Sequence, residues 1–251
     1  MIQLTIIRIE GYGQWTVTLG SDREAQLQML QARIYHDVQR LFSERNSIVF
    51  FNRFDEYFAI TNGLSADDHR VIQNELTKLY DNMSMSMAIG AGKTAFEANL
   101  NAYRERKESG RMLNTHDARI FGSGRHADIA LIMHIDIDSS AKTGCWLSPF
   151  EVTALVMKIY SRLAEEFLKY NSLAFFLGGD NVMVISNGMA KEQADKVIRN
   201  VTTGIDVKLN CGIGTGRTGR GAAEAATKAL DTIRDLRKEG KIQTIYEIQC
   251  P

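Results

Sequence analysis

Phe50 to Gly63 reads FFNRFDEYFAITNG, and Phe175 to Gly188 reads FFLGGDNVMVISNG. Laid over one another without gaps, they share Phe50/Phe175, Phe51/Phe176, Asp55/Asp180, Ile60/Ile185, Asn62/Asn187 and Gly63/Gly188. In each, apolar runs flank a polar turn, the pattern of a β-hairpin. The neighbouring segments follow in the same order. An opening strand, Leu4 to Glu10, matches Leu131 to Asp136 in its apolar run and terminal acid. Ser21-Asp-Arg-Glu24 matches Ser148-Pro-Phe-Glu151, and both read as S-x-x-E capping boxes, the second with proline at the first helical position. Each opens a long amphipathic helix, with Leu27, Leu30, Ile34, Val38 and Leu41 at helical spacing in the first. MAIGAGKT, from Met87, matches CGIGTGRT, from Cys211. A register shared through four elements makes the chain a tandem duplication.

Each half reads strand, helix, hairpin, helix, strand, helix, and Ile242 to Ile248 adds a final strand. This order predicts an α+β fold of tandem duplicated ferredoxin-like or palm-like (βαββαβ) domains, with antiparallel sheets and helices on one face. Periodicity is lost over Asn114 to Asp128, where glycine and serine gather. The expected domains are therefore 1–120 and 121–251. The first reads as the half that recognises a substrate, the second as the half that holds metal and performs the chemistry.

Thirty basic and thirty acidic residues cancel among the 251. A neutral chain gives no reason to expect a nucleic-acid polymer or an anionic membrane as partner. The opening MIQLTIIRIEGYG reads as a strand, with neither a basic leader nor an apolar run of membrane-span length. Cys145, Cys211 and Cys250 are far apart and form no CxxC pair, so reduced thiols in a cytoplasmic protein are expected. His36, His69, His116, His126 and His134 show no ligand spacing, which argues against zinc.

The chemistry sits in the second half. Strand LIMHIDID ends in Asp136 and Asp138, and the hairpin puts Asp180 at its turn behind Gly178 and Gly179. With the strand beside the hairpin, Asp136 and Asp180 converge. Two close carboxylates repel, and a divalent cation is the usual compensation. Magnesium suits such a pair, since it takes hard oxygen ligands and keeps positions open for water and phosphate oxygens. Two ions bridged by two carboxylates would polarise a phosphoryl group and acidify a bound water. Gly178 and Gly179 permit positive φ and a close approach of phosphate to the backbone. Gly-Gly-Asp-Asn is also good chemistry for any turn; the acid-ended strand and the repeat favour the metal reading.

In the first half the equivalents are taken as Glu10 and Asp55, on a turn without a glycine pair. Phe51, Arg53, Asp55 and Asn62 offer an aromatic face, a cation and polar groups to a base, or else simply support the hairpin. GAGKT, ending at Thr94, is not a P-loop, because the glycine required before Gly92 is Met87. Its partner GIGTGRT shows that these glycines belong to the fold. Arg234, on the helix AAEAATKALDTIRDLRKEG, is the basic residue selected to reach a triphosphate, against the alternative of a solvated basic face. His134 shares a strand face with Asp136 and reads either as a proton-transfer aid or as a satisfied buried histidine.

The IDID strand, the GGD hairpin and GIGTGRTGRGAAEAATKALDTIR together resemble the GGDEF and nucleotidyl-cyclase superfamily. The doubled hairpin signature, with MIQLTIIRIEGYGQWTV, resembles the archaeal GTP cyclohydrolase III family over essentially the whole chain. The resemblance implies an enzyme that uses two Mg2+ ions, is activated by a monovalent cation such as K+, and acts on GTP. The implied reaction opens the guanine imidazole ring at C8 and retains the formyl group. Its products would be 2-amino-5-formylamino-6-(5-phosphoribosylamino)pyrimidin-4-one and phosphate, an early step toward riboflavin or deazaflavin. A homo-oligomer, a tetramer, is implied too. The metal ligands carried over are Asp136, Asp180 and the Ile137 backbone carbonyl, with Asp138 and Asn181 nearby. Glu10 departs from the aspartate a second centre would need. Two other readings stay open: a nucleotidyl cyclase, although GGDN lacks the acid of GGDEF, and a non-catalytic GTP-sensing module.

Overall fold

A computed structural model of the chain describes residues 1–112, 120–124, 127–138 and 147–250. It divides into two units. One holds Ile2–Gly92 and Glu97–Asp128, and the other holds Ile129–Pro251 with Met1 and Lys93–Phe96. Most of the expected boundary segment, including His116 and His126, lies outside the described residues, and so does Cys145.

The first unit runs β1 (Ile2–Ile9), α1 (Tyr12–Val17), α2 (Arg23–Ser43), β2 (Ile48–Arg53), β3 (Glu56–Ile60), α3 (Ala66–Leu79), β4 (Met85–Gly92), α4 (Ala95–Met112) and β5 (Ile120–Phe121). The second runs β6 (Ala130–Asp138), α5 (Pro149–Leu168), β7 (Leu173–Gly178), β8 (Asn181–Ile185), α6 (Lys191–Thr202), β9 (Lys208–Gly216), α7 (Gly219–Lys238) and β10 (Ile245–Gln249). Read from the hairpin, the sheet orders are β2-β3-β1-β4-β5 and β7-β8-β6-β9-β10. The two orders are the same, as a duplicated α+β palm plan requires.

Two details differ from the sequence expectation. The sheets are mixed, because β5 pairs parallel with β4 and β10 parallel with β9. Each of these strands follows a helix, and a helical crossover returns the chain in the direction in which it left. The helices also cover both faces. Met133, Ile135 and Ile137 of β6 pack with Ile159, Leu163 and Val197 of α5 and α6. The intervening residues must point the other way, toward α7. That helix lies very close to β9: a Cβ on Gly212 would fall 2.1 Å from the Ala226 carbonyl oxygen, and one on Gly214 2.1 Å from the Ala226 nitrogen. Glycine in the strand and alanine in the helix thus bring two backbones together. Gly90 and Gly92 do the same for α4. The stretch that imitates a phosphate loop is a packing surface.

Of the two capping boxes, the one at Ser148 forms. Its hydroxyl accepts from the Glu151 N–H, and the Glu151 carboxylate accepts from the Ser148 N–H at 2.7 Å. The Ser21 box does not. The short helix α1, which the periodicity did not reveal, follows Gly11 at φ 65°, and Gly20 at φ 83° then turns the chain into α2. Asp22 becomes the N-cap, with no side-chain cap.

Candidate active site

The register of β6 against β8 sets the end of β6, which carries Asp136, beside the turn that carries Asp180. Asp136 lies directly opposite Asn181, and the Ile137 N–H donates to the Asp180 carbonyl at 3.1 Å. Asp136 and Asn181 are thereby a non-hydrogen-bonded pair, the kind whose side chains approach more closely. A regular ladder would return a bond from the Asp180 N–H to the Ile137 carbonyl. Among the described residues it is not made. The strand register shifts between Phe176 and Gly178, and Gly178 and Gly179 take φ of 105° and 60°. Their missing side chains would meet no heavy atom within 4 Å. Glycine is needed there for conformation, and the turn stays open on its outer side. The Ile137 carbonyl therefore faces the hairpin tip as an available oxygen.

Asp136 is 8% exposed. Its Oδ2 accepts from Arg234 Nη2 at 3.1 Å, and Arg234 also donates to Asp231 at 2.9 Å. Burial opposes the charge on Arg234, but the hydrogen bond and charge of Asp136, then those of Asp231, raise its pKa overall. The Asp180 carboxylate accepts from Asn181 Nδ2 at 2.7 Å. Behind Asn181 stands His134, with Nε2 2.9 Å from Asn181 Oδ1 and Nδ1 3.1 Å from Thr227 Oγ1 on α7. Burial depresses the His134 pKa below the usual imidazole value, against opposing contributions from Asn181 and Asp136. Beside the tip, a cavity of 560 Å³ is lined by Ile137, Val152, Val156, Phe176, Gly179 and Asp180. Asp138 closes β6 opposite Lys208; its side chain lies outside the described residues.

No group of three or more His, Cys, Asp or Glu side chains converges among the described residues. A cation at the tip would rest on two carboxylates, the Ile137 carbonyl and oxygens from water or phosphate. This all-oxygen set, with vacant positions, fits Mg2+.

In the first unit, Phe51, Arg53 and Asp55 share one hairpin. Phe51 packs edge-on against Phe54 at 5.0 Å and lines a cavity of 480 Å³ with Tyr35, Gln28 and Gln31. Arg53 lies 3.4 Å from Asp55 and 3.3 Å from Glu56. Asn62 is not with them. It is buried past the far end of β3, where its Oδ1 accepts from the Gln3 N–H at 2.9 Å. Asn187 does the same for the Leu131 N–H at 3.0 Å. The shared asparagine thus ties down the start of the central strand in both units.

One alignment made from sequence is corrected. Glu10 is not the counterpart of Asp136. Arg8 pairs with Glu56 and Ser86, Asp136 pairs with Asn181 and Asn210, and the Ile9 N–H donates to the Asp55 carbonyl as Ile137 does to Asp180. Arg8 therefore matches Asp136, and Glu10 matches Asp138. Matching the acids by their place at a run's end ignored strand phase. Glu10 is itself occupied, accepting from Ser86 and from Arg106 at 2.7 and 2.9 Å. Sequence reasoning also missed Thr227, and left His134 undecided. The only signal was that His134 precedes Asp136 by two residues.

The model of the family described as GTP cyclohydrolase III matches residues 1–247. The chain is 36% identical over 237 residues to a GTP cyclohydrolase III of Methanothermobacter thermautotrophicus, covering 93% of this chain and 95% of that one. It is 36% identical over 251 residues to that of Methanocaldococcus jannaschii, covering 98% and 93%. Among solved structures, the GGDEF domain of DgcB from Caulobacter crescentus is similar at 15% identity and a TM-score of 0.38, covering 63% of this chain and 94% of that one. A bacterial light-regulated adenylyl cyclase is similar at 14% identity and a TM-score of 0.36, covering 94% and 83%. Structural likeness at that level carries no functional argument. The sequence matches do, over nearly the full length of both chains: this chain belongs to the GTP cyclohydrolase III family.

Proposed function

We propose that this chain is an enzyme that hydrolyses GTP at the guanine imidazole ring and retains the formyl group. The products are 2-amino-5-formylamino-6-(5-phosphoribosylamino)pyrimidin-4-one and two inorganic phosphates, so three waters are consumed: one opens the ring, and one cleaves each of the two phosphoanhydride bonds. The observation that favours a nucleotide-phosphate centre is the meeting of the Asp136–Ile137 strand end with the Asp180 turn, where Ile137 and Asp180 line an apolar cavity. The substrate is inferred from the family.

Asp136, Asp180 and the Ile137 carbonyl would hold Mg2+, and K+ is proposed as an activator. The bound magnesium supplies charge neutralisation at phosphate oxygens and acidification of water. The protein's own groups do the rest. The apolar wall of Val152, Val156 and Phe176 excludes water around an aromatic base. The open turn at Gly178 and Gly179 lets phosphate approach the backbone, and Arg234 adds a fixed positive charge beside Asp136. In the proposed ring opening, one water adds at C8, the C8–N9 bond breaks, N9 takes a proton and the formyl group stays on N7. A homotetramer in the cytoplasm is proposed on the same basis. No helix among the described residues is long and apolar enough to cross a membrane.

Incubation with GTP and MgCl2, followed by ultraviolet absorption and phosphate release, tests the reading. Loss of the purine band with orthophosphate supports it. Pyrophosphate with an intact purine would make the protein a cyclase, and no change would make it a sensor.

A further inference from the structure

The hydrogen bonds behind Asp180 have one consistent direction. The Asp180 carboxylate can only accept, so the group 2.7 Å away is the Asn181 amide nitrogen. The amide oxygen then faces His134 Nε2 at 2.9 Å, and it too can only accept. His134 therefore carries its proton on Nε2. Nδ1 is left bare and receives the Thr227 hydroxyl at 3.1 Å. Thr227 stands on α7, which the β9 glycines hold tightly against the sheet. The chain of donors begins on a rigid helix, crosses β6 and β8, and ends on a carboxylate beside an open turn.

We propose that Thr227, His134 and Asn181 are positioning residues that orient the Asp180 carboxylate for a divalent cation shared with Asp136. The inference rests on the reading of Asp136 and Asp180 as cation ligands. A carboxylate at a glycine-flanked turn is free to rotate unless another group holds it, and a fixed tautomer of the supporting histidine supplies the direction of that hold. The bond from Asn181 engages Oδ1 and leaves the second oxygen of Asp180 for the cation.

The probe is Mn2+ alone, without nucleotide, titrated into the full chain and followed by the electron paramagnetic resonance of the free ion. Thr227→Val removes the hydroxyl at nearly constant shape, and it should weaken Mn2+ binding by about tenfold, with recovery in Thr227→Ser. His134→Leu should do the same, and His134→Gln, which keeps an N–H donor, should restore part of the loss. In the wild-type protein, 15N chemical shifts should show His134 protonated on Nε2 only. Wild-type Mn2+ affinity in both Thr227→Val and His134→Leu, or an Nδ1-protonated His134, overturns the relay. Unchanged Mn2+ binding in Asp136→Asn and Asp180→Asn would instead remove the cation site itself, and the relay with it.

Discussion

Arg8 and Asp136 occupy the same ladder position in two copies of one fold, one opposite Glu56 and Ser86, the other opposite Asn181 and Asn210. Where the second unit presents a carboxylate, the first presents a guanidinium. Arg8 and Asp55 both line a cavity of 390 Å³, so the first unit carries its own positive charge beside its hairpin acid. Asp136→Asn and Asp180→Asn should each lower GTP turnover by on the order of a hundredfold or more, with the circular dichroism unchanged. Arg8→Ala should leave the Mn2+ stoichiometry as it is. A fall in Mn2+ sites per chain on Arg8→Ala would contradict this division between the units.

The ion pair between Arg234 and Asp136 predicts a cation-dependent stability effect. Removing one partner strands a largely buried carboxylate. Arg234→Ala should lower the melting temperature in EDTA, and MgCl2 should recover much of the loss, because a cation that binds the native state stabilises it. An equal deficit with and without MgCl2 would show that Mg2+ does not offset that charge.

Close packing of α7 predicts a large cost for one methyl group. In Gly214→Ala the new carbon would lie 2.1 Å from the Ala226 nitrogen and 2.3 Å from the Ala222 carbonyl oxygen, both backbone atoms. The expected destabilisation is about 3 kcal/mol or more, measured by urea unfolding. A cost within about 0.5 kcal/mol would mean that α7 sits farther from β9.

The two S-x-x-E sequences should behave differently. Ser148→Ala removes a formed cap and should cost about 1 kcal/mol. Ser21→Ala should stay within about 0.5 kcal/mol of the parent, because Ser21 caps nothing. Equal effects in denaturation would contradict the observed start of α2.

His69 makes stability depend on pH. It is 0% exposed, donates from Nδ1 to the Ser65 carbonyl at 2.6 Å, and accepts the Thr5 hydroxyl at Nε2 at 2.8 Å. Burial lowers its pKa from 6.5, against smaller raising contributions from Ser65 and Asp68. The unfolded chain therefore binds the proton more readily, and stability falls as pH drops from about 6.5 toward the lower folded value. Urea midpoints between about pH 7 and about pH 5 should fall less steeply in His69→Gln than in the parent. Identical slopes would show that His69 titrates alike in both states.

The repeat determined the architecture from sequence alone. Hairpins at Phe50 and Phe175, a capping box at Ser148 and periodic helices are local patterns, and local patterns survive in one dimension. They made Asp180 legible as a turn acid and Asp136 as its strand partner. Ladder phase was decided only in three dimensions. A shift of one residue along a strand reverses its face, and the apolar runs of β1 and β6 leave that phase open; hence Glu10 was set against Asp136 where Arg8 belongs. The approach of α7 also had to be seen, since glycine in a strand says that something comes close without saying what. That approach places Thr227 behind His134 and Arg234 on Asp136. The strand-end and turn positions of Asp136 and Asp180 could be read from sequence, whereas Thr227 and Arg234, which reach His134 and Asp136, come from a helix far along the chain, brought there by backbone packing.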